Sequence, residues 1–193
     1  MEFCRRDGMG FGEEKGKRNS EIEKRKKPEI SLFAAVPCSR KGGIMSAQDN
    51  LKLWETHIRG EFMTKDTDLS LSTMVEDASV LTVPTGWGGK GKKELWVRYH
   101  NEFIPSVPPS WKHTTLKVTA SDDYIVEEAR INLVHTQQMD WFLPGMPATN
   151  KPIEFDIVLV VQFRDGKMAA ERIYWDQAAV LQQVGQALVR KEA

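Results

Sequence analysis

The alternation of apolar and polar positions changes period once along this chain. Between Ser46 and Met63, Leu51, Trp54, Ile58 and Phe62 recur at three- and four-residue spacing, which predicts an amphipathic helix capped by Ser46 or Asp49. A second short helix is expected over Leu69–Val75 and a short strand over Ser79–Val83. "PTGWGGKGKKE" reads as a glycine-rich turn. A further helix begins at Lys92 or Lys93, runs through Tyr99, His100 and Phe103, and stops at the prolines of "PSVPPSW". From Trp111 onward the period is two. Strands are predicted over Thr114–Ala120, Tyr124–Thr136, Ile153–Arg164 and Lys167–Asp176, with the Asp-Gly of "RDGK" turning the last two into a hairpin. A closing helix is expected from Gln177 to about Val189. Helices followed by antiparallel strands make an α+β domain.

In Tyr124–Thr136 the odd positions Ile125, Glu127, Ala129, Ile131, Leu133 and His135 form the inward face. Glu127 and His135 each need a partner there, or a cavity to line. Glu127 reads as the partner of an arginine, and His113 has no supporting context. "IEFDIVLVVQF" is apolar on both faces from Ile157 to Val161, so both sides should be covered. Helices cover one side of a small sheet, and a homodimer partner is expected on the other. The last strand sets Ala169, Glu171, Ile173 and Trp175 against Met168, Ala170, Arg172, Tyr174 and Asp176, and the pattern leaves open which set faces inward.

Charge divides the chain near residue 45. Residues 1–44 hold 11 of the 27 Lys/Arg and 7 of the 27 Asp/Glu, so this segment is basic and the remainder acidic. Its composition, "GMGFGEEKGKRNSEIEKRKKPEI", suits a disordered extension. "KRKK" reads as a solvated charge run, and the functional protein is expected to begin near Met45. Residues 45–193 form the domain. An acidic domain gives no footing for nucleic acid, and no apolar run approaches the ~20 residues that span a bilayer. Both cysteines, Cys4 and Cys38, lie in the basic segment. The domain therefore has no disulfide, thiolate metal site or cysteine nucleophile, and a reducing, cytoplasmic setting is expected.

"WETHIRGEF", "VPTGWGGKG", "YHNEFIPSVPP", "HTQQMDWFLPGMPATNKPIEF" and "VVQFRDGKMAAERIYWDQAAVLQQVG" occur in this order, and together they resemble the SnoaL-like branch of the nuclear transport factor 2-like (NTF2-like) superfamily. The narrower resemblance is to proteins labelled carboxymethylenebutenolidase-like, or dienelactone-hydrolase-associated, over residues 47–185. It implies a cone: a curved antiparallel sheet wrapped around N-terminal helices, with a deep apolar pocket. It also implies His, Asp and Tyr side chains on the cone wall, with no metal or cofactor. The chain departs from the group at Val134, where a threonine is usual, at Asn150, where glycine is usual, and at its C-terminus. No G-x-C-x-G or G-x-S-x-G elbow is present, so lactone or epoxide opening would rely on activated water.

The candidate catalytic residues are His135, Asp140, Tyr174 and Asp176. His135 would be an acid/base group, or would pin the adjoining loop; Asp140 would orient it, or cap a turn. Asp176 would polarise water beside Tyr174, or cap the last helix. His57, Glu61, Tyr99, Trp141, Phe142, Leu143, Met146 and Trp175 are the candidate pocket residues. His57 and Glu61 would face the cone, or form a solvent-facing pair. The apolar loop Leu133–Pro152 is read as a lid. The function implied is lyase, isomerase/cyclase or water-using hydrolase chemistry on an apolar, oxygenated molecule. The alternative is a non-catalytic ligand-binding or dimerisation module.

Overall fold

The computed structural model describes residues 45–186; the expectations for residues 1–44, including "KRKK" and both cysteines, lie outside them. Helix α1 spans Ala47–Ile58, held at its start by a capping box in which Ser46 Oγ accepts from the Asp49 amide and the Asp49 carboxylate accepts from the Ser46 amide. It runs on through a π-helical turn, Arg59–Met63. The face of α1 that is fully buried is Asn50, Trp54 and His57, continued by Glu61. This lies one residue round from the apolar stripe read in the sequence. Asn50 Nδ2 secures it by donating to the Ser121 and Asp122 carbonyls, each at 3.0 Å.

Helix α2 is Thr67–Ser72, earlier than the pattern predicts, because the Asp66 carboxylate caps it by accepting from the Leu69 amide. The turn brings α2 close to α1: a Cβ on Gly60 would lie 2.3 Å from Ser70 Oγ, so only glycine fits. Strand β1, Met74–Thr82, is longer than predicted. The glycine-rich turn contains an unpredicted strand, β2, Gly88–Lys90. Helix α3, Lys92–Arg98, also runs on through a π turn, Tyr99–Phe103, before α4, Ile104–Ser106.

Strands β3 (Lys112–Ala120), β4 (Tyr124–Val134), β5 (Pro152–Arg164) and β6 (Lys167–Trp175) complete one curved, open six-stranded sheet in the order β2-β1-β6-β5-β4-β3. The sheet is mixed, since β1 runs parallel to β6; the all-antiparallel expectation is corrected there. The β5–β6 hairpin turns through Asp165 and Gly166 at φ 53° and 75°, as a two-residue Asp-Gly turn requires. Helix α5 spans Gln177–Gln183, and Val189, to which the prediction ran, lies outside the described residues. Gly185, at φ 89°, ends it, with the Gln186 amide donating to the Leu181 carbonyl and the Gly185 amide to that of Gln182.

On β4 the odd positions through His135 are buried, as the alternation predicts. On β6 a register shift opposite Gln162/Phe163 breaks the alternation, so Met168 and Glu171 both point inward, followed by Trp175. The outer face of the sheet leaves Tyr124, Val126, Val158 and Tyr174 exposed.

Candidate functional site

Inside the cone, between the helices and the sheet, an apolar cavity of about 40 Å³ is walled by aromatic side chains, among them Trp54, Trp87, Trp111 and Trp141. Glu61, Tyr99 and Glu171 break this lining from three different elements. The two π turns position the first two, in keeping with the frequency of such turns at functional sites. Glu61 sits within the turn after α1, and Tyr99 begins the turn after α3. Glu171 comes from β6.

His57, fully buried behind the cavity wall, joins these groups. Its Nε2 is 3.0 Å from Glu61 Oε1 and 3.9 Å from Glu171 Oε2. Its Nδ1 is 3.1 Å from the Ser70 carbonyl and 2.9 Å from Thr73 Oγ1. Nδ1–H donation to Ser70 fixes the ring and aims Nε2 at the carboxylates. Trp54 stacks on the ring with centroids 5.6 Å apart.

Burial alone would discharge His57, but the close contact with Glu61, then Glu171, outweighs it and raises its pKa to about 9. Glu171 is pushed up to about 8, first by burial and then by the Glu61 carboxylate, against the pull of His57. Burial, then Glu61 and Glu171, raises Tyr99 well above its ordinary value, so it remains a hydroxyl donor. At neutral pH the cluster thus holds a proton on His57 and another on Glu171, beside the Glu61 carboxylate. Glu171 Oε2 is buried without a hydrogen-bond partner among the described residues. A carboxyl group that keeps its proton at neutral pH can act as a general acid.

The ligating atoms of His57, Glu61 and Glu171 lie within 4.8 Å of one another, compact enough to hold a metal ion.

The protons on His57 and Glu171 make stability depend on pH. His57 contributes stability that is complete below 6.5 and is lost as pH rises through about 9. Glu171 keeps its proton to about 8 when folded but releases it near 4.5 when unfolded, so here too stability falls as pH rises. The steepest alkaline loss is expected between pH 6.5 and 8, where both groups act in the same direction. Its size should be on the order of a few kcal/mol. Urea unfolding midpoints measured from pH 6 to 9 check this expectation; a flat profile would contradict the protonation assigned to the cluster.

A second constellation lies at the cavity's edge. Glu127 accepts from Trp54 Nε1 at 2.7 Å and from Thr115 Oγ1 at 2.5 Å, and His113 Nε2 stands 2.8 Å away. Burial opposes its ionisation, but the bonds from His113, Thr115 and Trp54 outweigh this and lower its pKa. Its partner is thus histidine, where arginine was expected, and His113, set aside in the sequence, lines the cavity.

The four candidate catalytic residues do not converge. His135 lies outside the cavity lining and pins the loop base: its amide donates to the Lys151 carbonyl, its carbonyl accepts from the Asn150 amide, and Nδ1 meets Thr149 Oγ1 at 3.1 Å. Burial lowers its pKa. Asn150 adopts φ 55°, the left-handed conformation that suits the glycine expected there. Asp140 accepts from Gln138 Nε2 and, at 2.8 Å, from the Gly145 amide, bonds that lower its pKa and close a turn. Tyr174 is on the outer sheet face, its hydroxyl accepting from Arg172 Nε. Asp176 is exposed and caps α5 by accepting from the Ala179 amide.

Of the candidate pocket residues, Glu61, Tyr99 and Trp141 line the cavity and His57 backs it. Phe142, Leu143, Met146 and Trp175 do not line it. Phe142 and Leu143 are buried in the core, while Met146 is half-buried. The greasy loop packs Phe142 and Leu143 into the core while Trp141 reaches the cavity, so its burial favours a plug where the sequence suggested a lid. Glu171 was missed as a site residue, although it shares its parity with the apolar Ile173 and Trp175, and that was the available signal.

Residues 93–184 match the family of SnoaL-like polyketide cyclases, a span that includes Tyr99, Glu127 and Glu171 but not His57 or Glu61. No curated protein matches the chain in sequence. A protein from Jannaschia sp. CCS1 described as a SnoaL-like polyketide cyclase is 17% identical with a TM-score of 0.60, over 77% of this chain and 98% of that one. TsrD from Streptomyces laurentii is 12% identical with a TM-score of 0.58, over 74% and 99% of the two chains. An LEH-like epoxide hydrolase of M. tuberculosis is 11% identical with a TM-score of 0.52, over 72% and 90%. At these identities the likeness is one of fold.

Proposed function

Given an NTF2-like domain that matches the SnoaL-like polyketide cyclase family across residues 93–184, we propose that the protein is a small-molecule enzyme working by cofactor-free acid/base catalysis in the cavity of the cone. The observation that supports this most is Glu171, a carboxyl group held protonated at neutral pH with an unpartnered oxygen in an apolar cavity. Glu171 donates the proton to a developing oxyanion or leaving oxygen. Glu61 is the base, held by His57, and Tyr99 is the neutral hydrogen-bond donor. The aromatic walls select an apolar substrate with one or two oxygens, of polyketide, lactone or phenolic type. The resemblance to carboxymethylenebutenolidase-associated proteins favours a lactone. With no cysteine in residues 45–193, ring opening would use water activated by Glu61.

Proton transfer can be measured before the net reaction is known. Incubating β-dicarbonyl, enol-lactone and phenolic compounds with the protein in D2O, followed by NMR, is expected to show enzyme-dependent deuterium exchange or turnover for at least one class. No exchange and no turnover across all three would favour the non-catalytic ligand-binding or dimerisation reading.

The domain is also proposed to work as a cytoplasmic homodimer. The absence of cysteine from residues 45–193 fits the first part. For the second, Val126 pairs with Val160 across β4–β5 and Val158 with Tyr174 across β5–β6, so the exposed apolar residues form a continuous outer patch that a second copy would cover. Light scattering at micromolar concentration should give the dimer mass for the wild type. The Val126→Lys/Val158→Lys double variant should give the monomer mass, and a wild-type monomer would rule out the dimer.

A further inference from the structure

The inner cavity is too small for most molecules that its lining suits. About 40 Å³ holds one or two waters, whereas sites for larger organic ligands occupy several hundred cubic ångströms. Directly outside lies a groove of about 680 Å³. Cavity and groove share Ile58, Phe62, Trp111 and His113 as lining residues. Phe62 and Trp111 stack with centroids 5.2 Å apart and planes 4° from parallel. Lining both spaces, this stack stands between them.

Two features of the partition and groove point to a ligand. The Trp111 indole N–H is buried with no hydrogen-bond partner among the described residues, whereas those of Trp54, Trp87, Trp96, Trp141 and Trp175 all donate. An unpaired buried donor is unfavourable, and a ligand oxygen beside the stack would satisfy it. In the groove, Arg59 and Lys112 face a single carboxylate, Glu55, and neither cation forms an ion pair among the described residues. The groove is therefore net positive at its Arg59–Lys112 side.

We propose that the groove is the second half of the ligand site. The ligand is an elongated carboxylic acid whose apolar, oxygenated head passes the parted Phe62–Trp111 stack into the cavity while its carboxylate tail rests on Arg59 and Lys112. The inference rests on the acid/base reading for the chemistry done at the head, but not for the path or the tail.

Calorimetric titration of the full chain with phenoxyalkanoic acids of increasing length, and with their primary amides, tests it. The acids of suitable length are expected to bind at least tenfold more tightly than the matching amides. Arg59→Gln/Lys112→Gln should abolish that preference, and Trp111→Phe should weaken acid and amide alike. In Glu171→Gln the preference should persist, so loss of proton transfer in that variant, or its absence in the wild type, bears on the catalytic reading alone. No binding by any member of the series, equal binding of acids and amides, or a preference that survives in the double variant would overturn the proposal.

Discussion

Glu171→Gln is expected to slow proton transfer by about 10²- to 10⁴-fold, the usual contribution of a positioned acid or base. The substitution keeps the shape of the side chain and removes only its exchangeable acid. Glutamine is also neutral, like the protonated Glu171 of the wild type at pH 7, so the fold should lose little stability there. The alkaline loss of stability should shrink at the same time, leaving the part due to His57, which begins near 6.5 and, without the Glu171 carboxylate to raise it, ends below about 9. Deuterium exchange rates and urea midpoints on the same preparations check both expectations. If the variant exchanged at the wild-type rate, the catalytic role would pass to another group. If it unfolded at neutral pH, the proton on Glu171 would have been misplaced.

The second large effect concerns the loop. Phe142→Ala is expected to cost about 3–5 kcal/mol of stability, the range for removing a large buried aromatic. Phe142 is fully buried, with Phe155 at 4.9 Å and Trp175 at 5.5 Å between ring centroids. Its carbonyl accepts from Gln177 Nε2, the neighbouring Trp141 carbonyl accepts from Thr85 Oγ1 at 2.8 Å, and the Trp141 indole donates to Ser106 Oγ at 2.9 Å. These contacts tie the segment to α4, to α5 and to the turn after β1. Thermal or urea unfolding decides between plug and lid: a lid residue would alter ligand binding while barely moving the midpoint.

The parts of the fold that were legible in the sequence are those where one physical rule acts alone. Strand β4 has one buried and one solvated face, so its alternation gave the correct inward set, including Glu127 and His135. The Asp-Gly pair fixed the β5–β6 hairpin. Strand β6 was illegible because the register shift opposite Gln162/Phe163 changes parity in mid-strand, and parity was the only clue to which side Glu171 would face. Strand β2 was hidden because its Gly88–Lys90 sequence has the composition of a turn; a Cβ on Gly88 would lie 2.0 Å from the Val80 carbonyl oxygen, so glycine there serves close strand pairing.

The site was half legible for a related reason. His57 and Glu61 stand four apart on one helix, and Tyr99 sits beside an outward His100, so local spacing brought these three into view. His113 reaches the cavity only through tertiary pairing, which no local rule gives, and for Glu171 the one local signal was the parity of β6, which the register shift interrupts. His135 and Asp176 attracted attention as titratable residues at element ends, where polar side chains often serve the backbone: here one pins a loop and the other caps a helix. A chemically suggestive residue at such a boundary has a ready structural use. A carboxylate in the middle of an apolar strand face has none, which made Glu171 the more informative residue.

The measurement that tests the account most directly is infrared difference spectroscopy of the wild type against Glu171→Gln, recorded across neutral and alkaline pH. A protonated carboxylic acid band that belongs to Glu171 is expected at pH 7, disappearing with a midpoint near 8. A Glu171 that is already ionised at pH 7, with only carboxylate bands in the difference spectrum, would contradict it.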